Sequence, residues 1–245
     1  MQQKHIRVKA IIAYDGSCFF GFQKQTSTPK TVTSAIEEAL HSLQIYSPIV
    51  GSGRTDAGVH ATGQVIHFDL PKFWKDIEKL KLNLNRKLKE IQFKHISIAP
   101  HDFHARFSAK KRVYRYVFKT KEPSVFEKRY IAYYPEFNKD LLFQALLSFE
   151  GEHDFNYFHK TGTVTHTTIR TIYRTNYREH NGYHYIYFQA NGFLRSQIRM
   201  MVETAMLCAR EKLALEQLQE QLTCRKKHVT KLAPSQGLYL ARILY

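Results

Sequence analysis

Cysteine is scarce in this chain: Cys18, Cys208 and Cys224 are the only three in 245 residues, and no two are spaced CxxC. An odd, scattered set excludes a disulfide framework and a paired-thiolate zinc site, so reduced cytoplasmic thiols are expected. No apolar run approaches the ~20 residues that cross a bilayer, and no membrane partner is expected. The N-terminus, MQQKHIRVKAIIAYDG, alternates where a secretory signal would carry an apolar block. Also missing are the G-x-x-x-x-G-K-[ST] and G-x-G-x-x-G phosphate loops, the G-x-S-x-G elbow and HExxH. These absences exclude a P-loop, a dinucleotide fingerprint, a serine-hydrolase elbow and a zincin helix. The thirteen histidines include His101-x-x-His104 and His180-x3-His184, but neither is joined by paired cysteines, and no metal is expected.

Acidic residues are also few, 21 against 37 Lys+Arg, for a formal charge of +16. That balance favours a polyanionic partner, nucleic acid or an anionic surface, and says little about fold. Hydrophobic residues make up 43%, enough for a packed core.

Period-two alternation of Ile6, Val8, Ala10, Ile12 and Tyr14 predicts a first strand. A helix is predicted from near Thr31 or Ser34 through Ile36, Leu40 and Leu43, with Ser34-x-x-Glu37 as a capping box. Gln64–Phe68 reads as strand, Ile77, Leu80, Leu84 and Leu88 as an amphipathic helix, and Ile96–Ala99 as a short strand. Further on, Arg112–Phe118 alternates, and Leu142, Ala145, Leu146 and Phe149 mark a helix ended by Gly151. Ile169–Tyr177 and Tyr183–Ala190 flank an Asn181-Gly182 hairpin turn. Helices over about Leu194–Arg210 and Leu213–Leu222 and a strand at Leu238–Ile243 complete the chain. Two α+β halves, 1–105 and 106–245, are the simplest organisation.

Candidate chemistry gathers in few places. In Gly51-Ser-Gly-Arg-Thr-Asp-Ala-Gly58, glycines crowd around one carboxylate, Asp56, on a loop between a helix and a strand. Glycine lets backbone approach a ligand closely, and loops on rigid scaffolds commonly carry catalytic groups. The plainer alternative is an aspartate that caps its own turn. Between His101 and Pro135, nine cations including Arg106, Lys110, Lys111 and Arg112 interleave with Phe103, Phe107, Tyr114, Tyr116 and Phe118. Cations neutralise phosphates and aromatic faces stack on unpaired bases, a combination suited to looped RNA. Alternation also requires some of those aromatics, Tyr116 or Phe118, to face the core. Lys160–Arg178 adds four cations and no acid, with many threonines of the kind that contact nucleic-acid backbone. In Asn191-Gly-Phe-Leu-Arg-Ser-Gln-Ile-Arg199, Arg195 and Arg199 stand four apart, suited to binding phosphate or pairing with a distant carboxylate, or else simply exposed.

Taken together, these segments resemble the TruA family of tRNA pseudouridine synthases. The resemblance rests on Gly53-Arg-Thr-Asp-Ala-Gly-Val-His-Ala61 with Gln64-Val-x-His-Phe68. Tyr14-Asp-Gly, Gly21-Phe-Gln-x-Gln25, Phe103-His-Ala-Arg-Phe-Ser-Ala109, Arg112-x-Tyr-Arg-Tyr116, Gly151-Glu-His-Asp-Phe155, Asn191-x-Phe-Leu-Arg195 and Gly237-Leu-Tyr-Leu240 extend it over nearly the whole chain. It implies an α+β fold of two RRM-like α/β domains sharing a continuous, mainly antiparallel sheet with a basic cleft between them. The N-terminal domain would carry the aspartate loop, and the C-terminal domain the tyrosine and arginine of the site. It also implies a homodimer that uses no metal or organic cofactor and acts on tRNA uridines 38, 39 and 40 of the anticodon stem-loop. Asp56 matches the family's catalytic aspartate and nucleophile, Tyr114 its active-site tyrosine, and Arg199 the basic residue paired with the aspartate. Arg54 matches an arginine that engages RNA, with His60, Arg106, Lys110, Lys111, Arg112 and Arg195 as further expected RNA contacts. The chain departs from the pattern at Phe22, where Trp is customary, at Glu203, where Gly commonly follows Met-Val, and at Lys87-Leu-Lys-Glu90. Two rival readings are an RNA-binding module without turnover and a nucleosidase, which would want a second carboxylate partner.

Overall fold

The computed structural model describes residues 5–162 and 165–245. The chain forms two compact units, Met1–Lys110 with Leu240–Tyr245, and Lys111–Tyr239. The fold is mixed α+β with mainly antiparallel strands, the class the resemblance implies.

The first unit runs β1 (His5–Tyr14), α1 (Val32–His41), β2 (Val50–Gly51), β3 (His60–Pro71), α2 (Ile77–Lys87) and β4 (Ile91–Ile98). β1 lies between β3 and β4, antiparallel to both, with Val8 opposite Phe68 and Ile98. Alternation along β1 buries Val8, Ala10 and Ile12 completely. Ile36 and Leu40 of α1 and Leu80 and Leu84 of α2 are buried too. Each such side chain contributes roughly 1.5–3 kcal/mol on leaving water.

The N-terminus of α1 differs from the Ser34-x-x-Glu37 expectation. Thr31 is the cap, its hydroxyl accepting from the Ser34 amide at 3.2 Å. Glu37 is instead buried, accepting from the Ile49 amide at 3.0 Å and pairing with Lys24. Four residues also proved too few for β4: the predicted Ile96–Ala99 strand begins earlier, at Ile91, and ends at Ile98.

The second unit contains β5 (Lys111–Lys119), β6 (Ala132–Tyr133), α3 (Lys139–Leu147), β7 (Gly151–Asp154), β8 (Ile169–His180), β9 (Tyr183–Ala190), α4 (Gln197–Ala209) and α5 (Leu215–Leu222). Its strands follow the order β5-β9-β8-β7, antiparallel throughout, with β6 parallel to β5. The predicted hairpin is present, with Asn181 at φ 50 and Gly182 at φ 74. Tyr116 and Phe118 are both fully buried, so these two aromatics of the basic stretch belong to the core. Ser148 caps α3, whereas Gly151 opens β7 at φ +102. α4 starts at Gln197, not Leu194, because Ser196 sits in the left-handed region at φ 59.

β10 (Leu238–Leu244) ends the chain, and its residues from Leu240 group with the first unit, although they lie in the half expected at 106–245. The Lys110 amide donates to the Leu244 carbonyl at 2.8 Å, and the Tyr245 hydroxyl donates to the Ala105 carbonyl at 2.8 Å. Gly63 of β3 comes so close to Ala241 that a Cβ would stand 2.2 Å from its carbonyl oxygen. Among the described residues, no helix is long and apolar enough to cross a membrane.

Candidate active site

The loop around Asp56 is fixed from several sides. On one flank, the Ser52 hydroxyl donates to Gln64 Oε1 at 2.6 Å, while Gln64 Nε2 donates to the Gly53 carbonyl at 2.8 Å. One buried amide thus ties the loop's first arm to β3. At the centre, the Phe22 amide donates to the Thr55 carbonyl at 3.1 Å, and the hydroxyls of Tyr14 and Thr55 lie 2.8 Å apart. Gly21, at φ +109, brings the chain close enough for this, since a Cβ there would meet the Thr55 carbonyl oxygen at 3.0 Å. The Phe22 ring covers Gly51, where a Cβ would lie 2.5 Å from it. The customary Trp is therefore replaced by a ring that still fills the space beneath the loop. Past the aspartate, the Val59 amide donates to the Asp56 carbonyl at 3.1 Å and Gly58 takes φ +76. The segment Tyr14-Asp-Gly closes the far side, the Gly16 amide donating to His60 Nδ1 at 3.0 Å.

Asp56 is half-buried and Arg54 exposed on this frame. His60, expected to contact RNA, is 1% exposed and accepts from Gly16. Its ring offers almost no surface to a ligand and supports the loop from beneath. The Gly16–His60 bond is the part of the loop's support that sequence reading missed; its signal was the tight Tyr14-Asp-Gly motif paired with the motif histidine.

Further along the same unit, Arg106 and Lys110 are exposed, and the Arg106 guanidinium lies 5.6 Å from the centre of the Phe107 ring. Phe107 is 76% exposed and stacks on His104 at 4.3 Å, a free aromatic face beside a cation.

In the second unit, Tyr114 is 7% exposed and meets the Phe193 ring edge-on at 5.2 Å. Arg112, two residues earlier on β5, donates from Nη1 to the Asn191 carbonyl at 2.6 Å. Lys111 Nζ lies 4.8 Å over the Tyr173 ring. Arg195 does not share a helical face with Arg199, as their spacing suggested, because it precedes the left-handed turn at Ser196. It donates to the Thr161 carbonyl at 3.4 Å while its own carbonyl accepts from the Lys160 amide. Arg199 lies within α4, half-buried, its Nε donating to the Ala233 carbonyl at 2.7 Å.

Close to Arg199, the Tyr116 hydroxyl donates to the Pro234 carbonyl at 3.0 Å, and burial raises the Tyr116 pKa. Tyr134 is raised likewise, by burial first and then by Tyr116 and Glu203. Both phenols stay protonated donors at neutral pH. His159 is buried with neither ring nitrogen bonded, and burial, with Lys227 and Arg170 nearby, pushes its pKa down. No group of three or more His, Cys, Asp or Glu side chains among the described residues is arranged to hold a metal ion.

Comparison with known proteins agrees with these motifs. A family described as tRNA pseudouridine synthase matches residues 10–108 and 145–245. A Helicobacter hepaticus protein named tRNA pseudouridine synthase A is 40% identical over 243 residues, covering 97% of this chain and 98% of that one. Proteins of the same name from Campylobacter jejuni and Lactococcus lactis are 36% and 37% identical, each over 98% of this chain and 100% and 97% of their own lengths.

Proposed function

We propose, for a chain that belongs to the tRNA pseudouridine synthase family, that Asp56 is the carboxylate through which it isomerises uridine to pseudouridine in tRNA. The observation that carries the assignment is the frame just described, which fixes the backbone around one half-buried aspartate by bonds from Phe22, Gln64 and Val59. Asp56 does more than cap a turn if that much structure exists to hold it.

The reaction breaks the C1′–N1 bond, turns the uracil, joins C5 to C1′, and moves the C5 proton to N1. No atom enters or leaves and nothing is oxidised. An ionised carboxylate can begin this by attacking C1′, the role we assign to Asp56, or by removing the C2′ proton to open a glycal route. Covering a carboxylate with a base opposes its charge, and a cation beside it favours that charge. The role proposed for Arg199 is to keep that carboxylate charged once a base covers it. Tyr114, already edge-on to Phe193, is proposed to stack on the uracil and assist loss of the C5 proton. Arg54, Arg106, Lys110, Lys111, Arg112 and Arg195 are proposed to engage phosphates. The target nucleotide must first leave its stack, at roughly a few kcal/mol.

The finer reading follows the same resemblance: uridines 38, 39 and 40 of the anticodon stem-loop, a homodimer, a cytoplasmic setting and no cofactor. The test is Asp56→Asn, nearly isosteric, incubated with unmodified tRNA and probed by carbodiimide mapping, which also shows which uridines react. Pseudouridine should vanish while tRNA binding survives. Retained turnover would remove the carboxylate from the mechanism.

A further inference from the structure

We propose that Arg170, together with Arg112, forms a seat for a phosphodiester of the RNA beside Tyr114, holding the backbone next to the target nucleotide. The inference rests on the reading of tRNA as substrate and adds to it a residue and a place.

The two arginines come from different strands and converge on one dipeptide. Arg112 of β5 and Ile172 of β8 both stand opposite Ala190, the last residue of β9. Beyond Ala190 the chain continues as Asn191-Gly192, and Arg112 Nη1 binds the Asn191 carbonyl. Arg170 lies over the next residue, since a Cβ on Gly192 would stand 3.6 Å from its Nε. The dipeptide is itself fixed to β8: the Asn191 amide donates to the Thr171 carbonyl and the Thr171 amide to Asn191 Oδ1, each at 3.2 Å. Glycine at 192 lets the Arg170 side chain lie close over the backbone beside the carbonyl that Arg112 binds.

Arg170 donates from Nη1 to the carbonyls of Thr167 and Ile169 at 2.9 and 2.5 Å, and among the described residues no carboxylate pairs with it. The acids of β7 do not supply one. Glu152 and Asp154 stand opposite Thr171 and Ile169, on the other pleat face from Arg170, and Glu152 accepts from the Thr171 hydroxyl at 3.4 Å. Burial, and then the neighbouring Arg112, lower the Arg170 pKa, as expected of a half-buried cation beside a like charge. A bound anion relieves both penalties, and a guanidinium fork matches phosphate oxygens with parallel donors.

The position selects a nucleic-acid phosphate over other anions. Arg112 and Tyr114 alternate onto the same face of β5, about 7 Å apart along the strand. An aromatic pair, Tyr114 and Phe193, therefore lies one short step from the cations. A ring face for a base beside a double guanidinium for its phosphate is the pairing a single extruded nucleotide requires.

The experiment compares Arg170→Ala, Arg170→Lys and the wild type with unmodified tRNA, by pseudouridine formation and by binding at several salt concentrations. For Arg170→Ala the KM should rise about ten-fold, with the effect falling mainly on KM, and the slope of log K against log salt should shrink by about one. Arg170→Lys, which keeps the charge and loses the fork, should keep the salt slope and recover part of the affinity. Because both side chains would hold one phosphate, Arg170→Ala combined with Arg112→Ala should lose less than the product of the single losses. An Arg170→Ala protein with wild-type KM and salt slope overturns the seat while leaving the synthase reading intact. A wild type that neither binds tRNA nor makes pseudouridine overturns that reading, and the seat with it.

Discussion

Arg199 and Ala233 hold each other in both directions: Arg199 Nε donates to the Ala233 carbonyl at 2.7 Å, and the Ala233 amide donates to the Arg199 carbonyl at 3.0 Å. The next residue, Pro234, accepts from the buried Tyr116 hydroxyl. A backbone segment anchored in the core therefore fixes the plane of the guanidinium.

Arg199→Lys tests whether that fixed plane matters. Lysine keeps the positive charge but has no Nε donor for the Ala233 carbonyl and no planar fork. Turnover measured under single-turnover conditions should fall about 10²-fold, the scale set by removing one preorganised donor, while tRNA affinity changes far less. A lysine protein as fast as the wild type would show that charge alone is needed.

Glu203 stands one turn beyond Arg199 and is buried, a position where the resemblance leads one to expect glycine. The structure accounts for the acid: its carboxylate accepts from the Tyr134 hydroxyl at 2.7 Å and lies 3.1 Å from Lys231 Nζ, whose side chain is 79% exposed. Glu203→Ala should cost about 1–3 kcal/mol by leaving the Tyr134 hydroxyl without its acceptor. Glu203→Gln, which retains an acceptor, should cost less, and Glu203→Gly more, because it adds a flexible residue inside a helix. Thermal unfolding ranks the three. Equal melting temperatures for the alanine and glutamine proteins would show that the Tyr134 bond contributes little.

Much of this was legible in the sequence where a period ran long enough. β1, β5, β9 and α2 declared themselves through alternation or helical spacing, and the Asn181-Gly182 turn through its chemistry. β2 and β6 have two residues each, and β7 has four, too few for any period to register. The start of α4 was misplaced because its apolar stripe extends back to Leu194, and nothing local marks Ser196 as left-handed. The aspartate loop was visible as a motif, but its supports were not. Gly16 reaches His60 across 44 residues and Arg199 reaches Ala233 across 34, contacts that no local pattern encodes. Arg170 was visible only as one cation in a basic stretch; its place over Gly192, just past the end of β9, is what distinguishes it.

His67 gives the fold a dependence on pH. Its Nδ1 accepts from the Ala105 amide at 3.0 Å, and burial, with Arg7 and His104 nearby, pushes its pKa down to about 4. The unfolded chain takes up this proton near 6.5, the folded chain only near 4. Between those values the unfolded state binds more protons, so stability is complete above pH 6.5 and declines as pH falls, by on the order of 1 kcal/mol per unit. His67→Asn keeps an acceptor and cannot titrate. Urea unfolding of both proteins from pH 7.5 to 4.5 should show a flatter profile for the asparagine variant, whereas parallel profiles would place the dependence on other groups.

Gly16→Ala tests how tightly the aspartate loop depends on the residues beneath it. A Cβ at Gly16 would stand 2.0 Å from the Val59 carbonyl oxygen and 2.9 Å from the His60 amide, both backbone atoms that cannot swing aside. Relieving the clash means moving Val59, whose amide binds the Asp56 carbonyl, or breaking the Gly16–His60 bond. The expected loss is about 3 kcal/mol or more, in line with other overpacked cores, with pseudouridine formation falling further than tRNA binding. Gly182→Ala is the comparison. It also replaces a glycine, at φ +74 in the hairpin turn, but has nothing within 4 Å of the added carbon. Its cost should be confined to the backbone, roughly 1 kcal/mol, with turnover unchanged. Melting temperatures and carbodiimide mapping on the two proteins separate a strained loop from a strained turn, and a Gly16→Ala protein as stable and active as Gly182→Ala would mean that the loop is not braced from below.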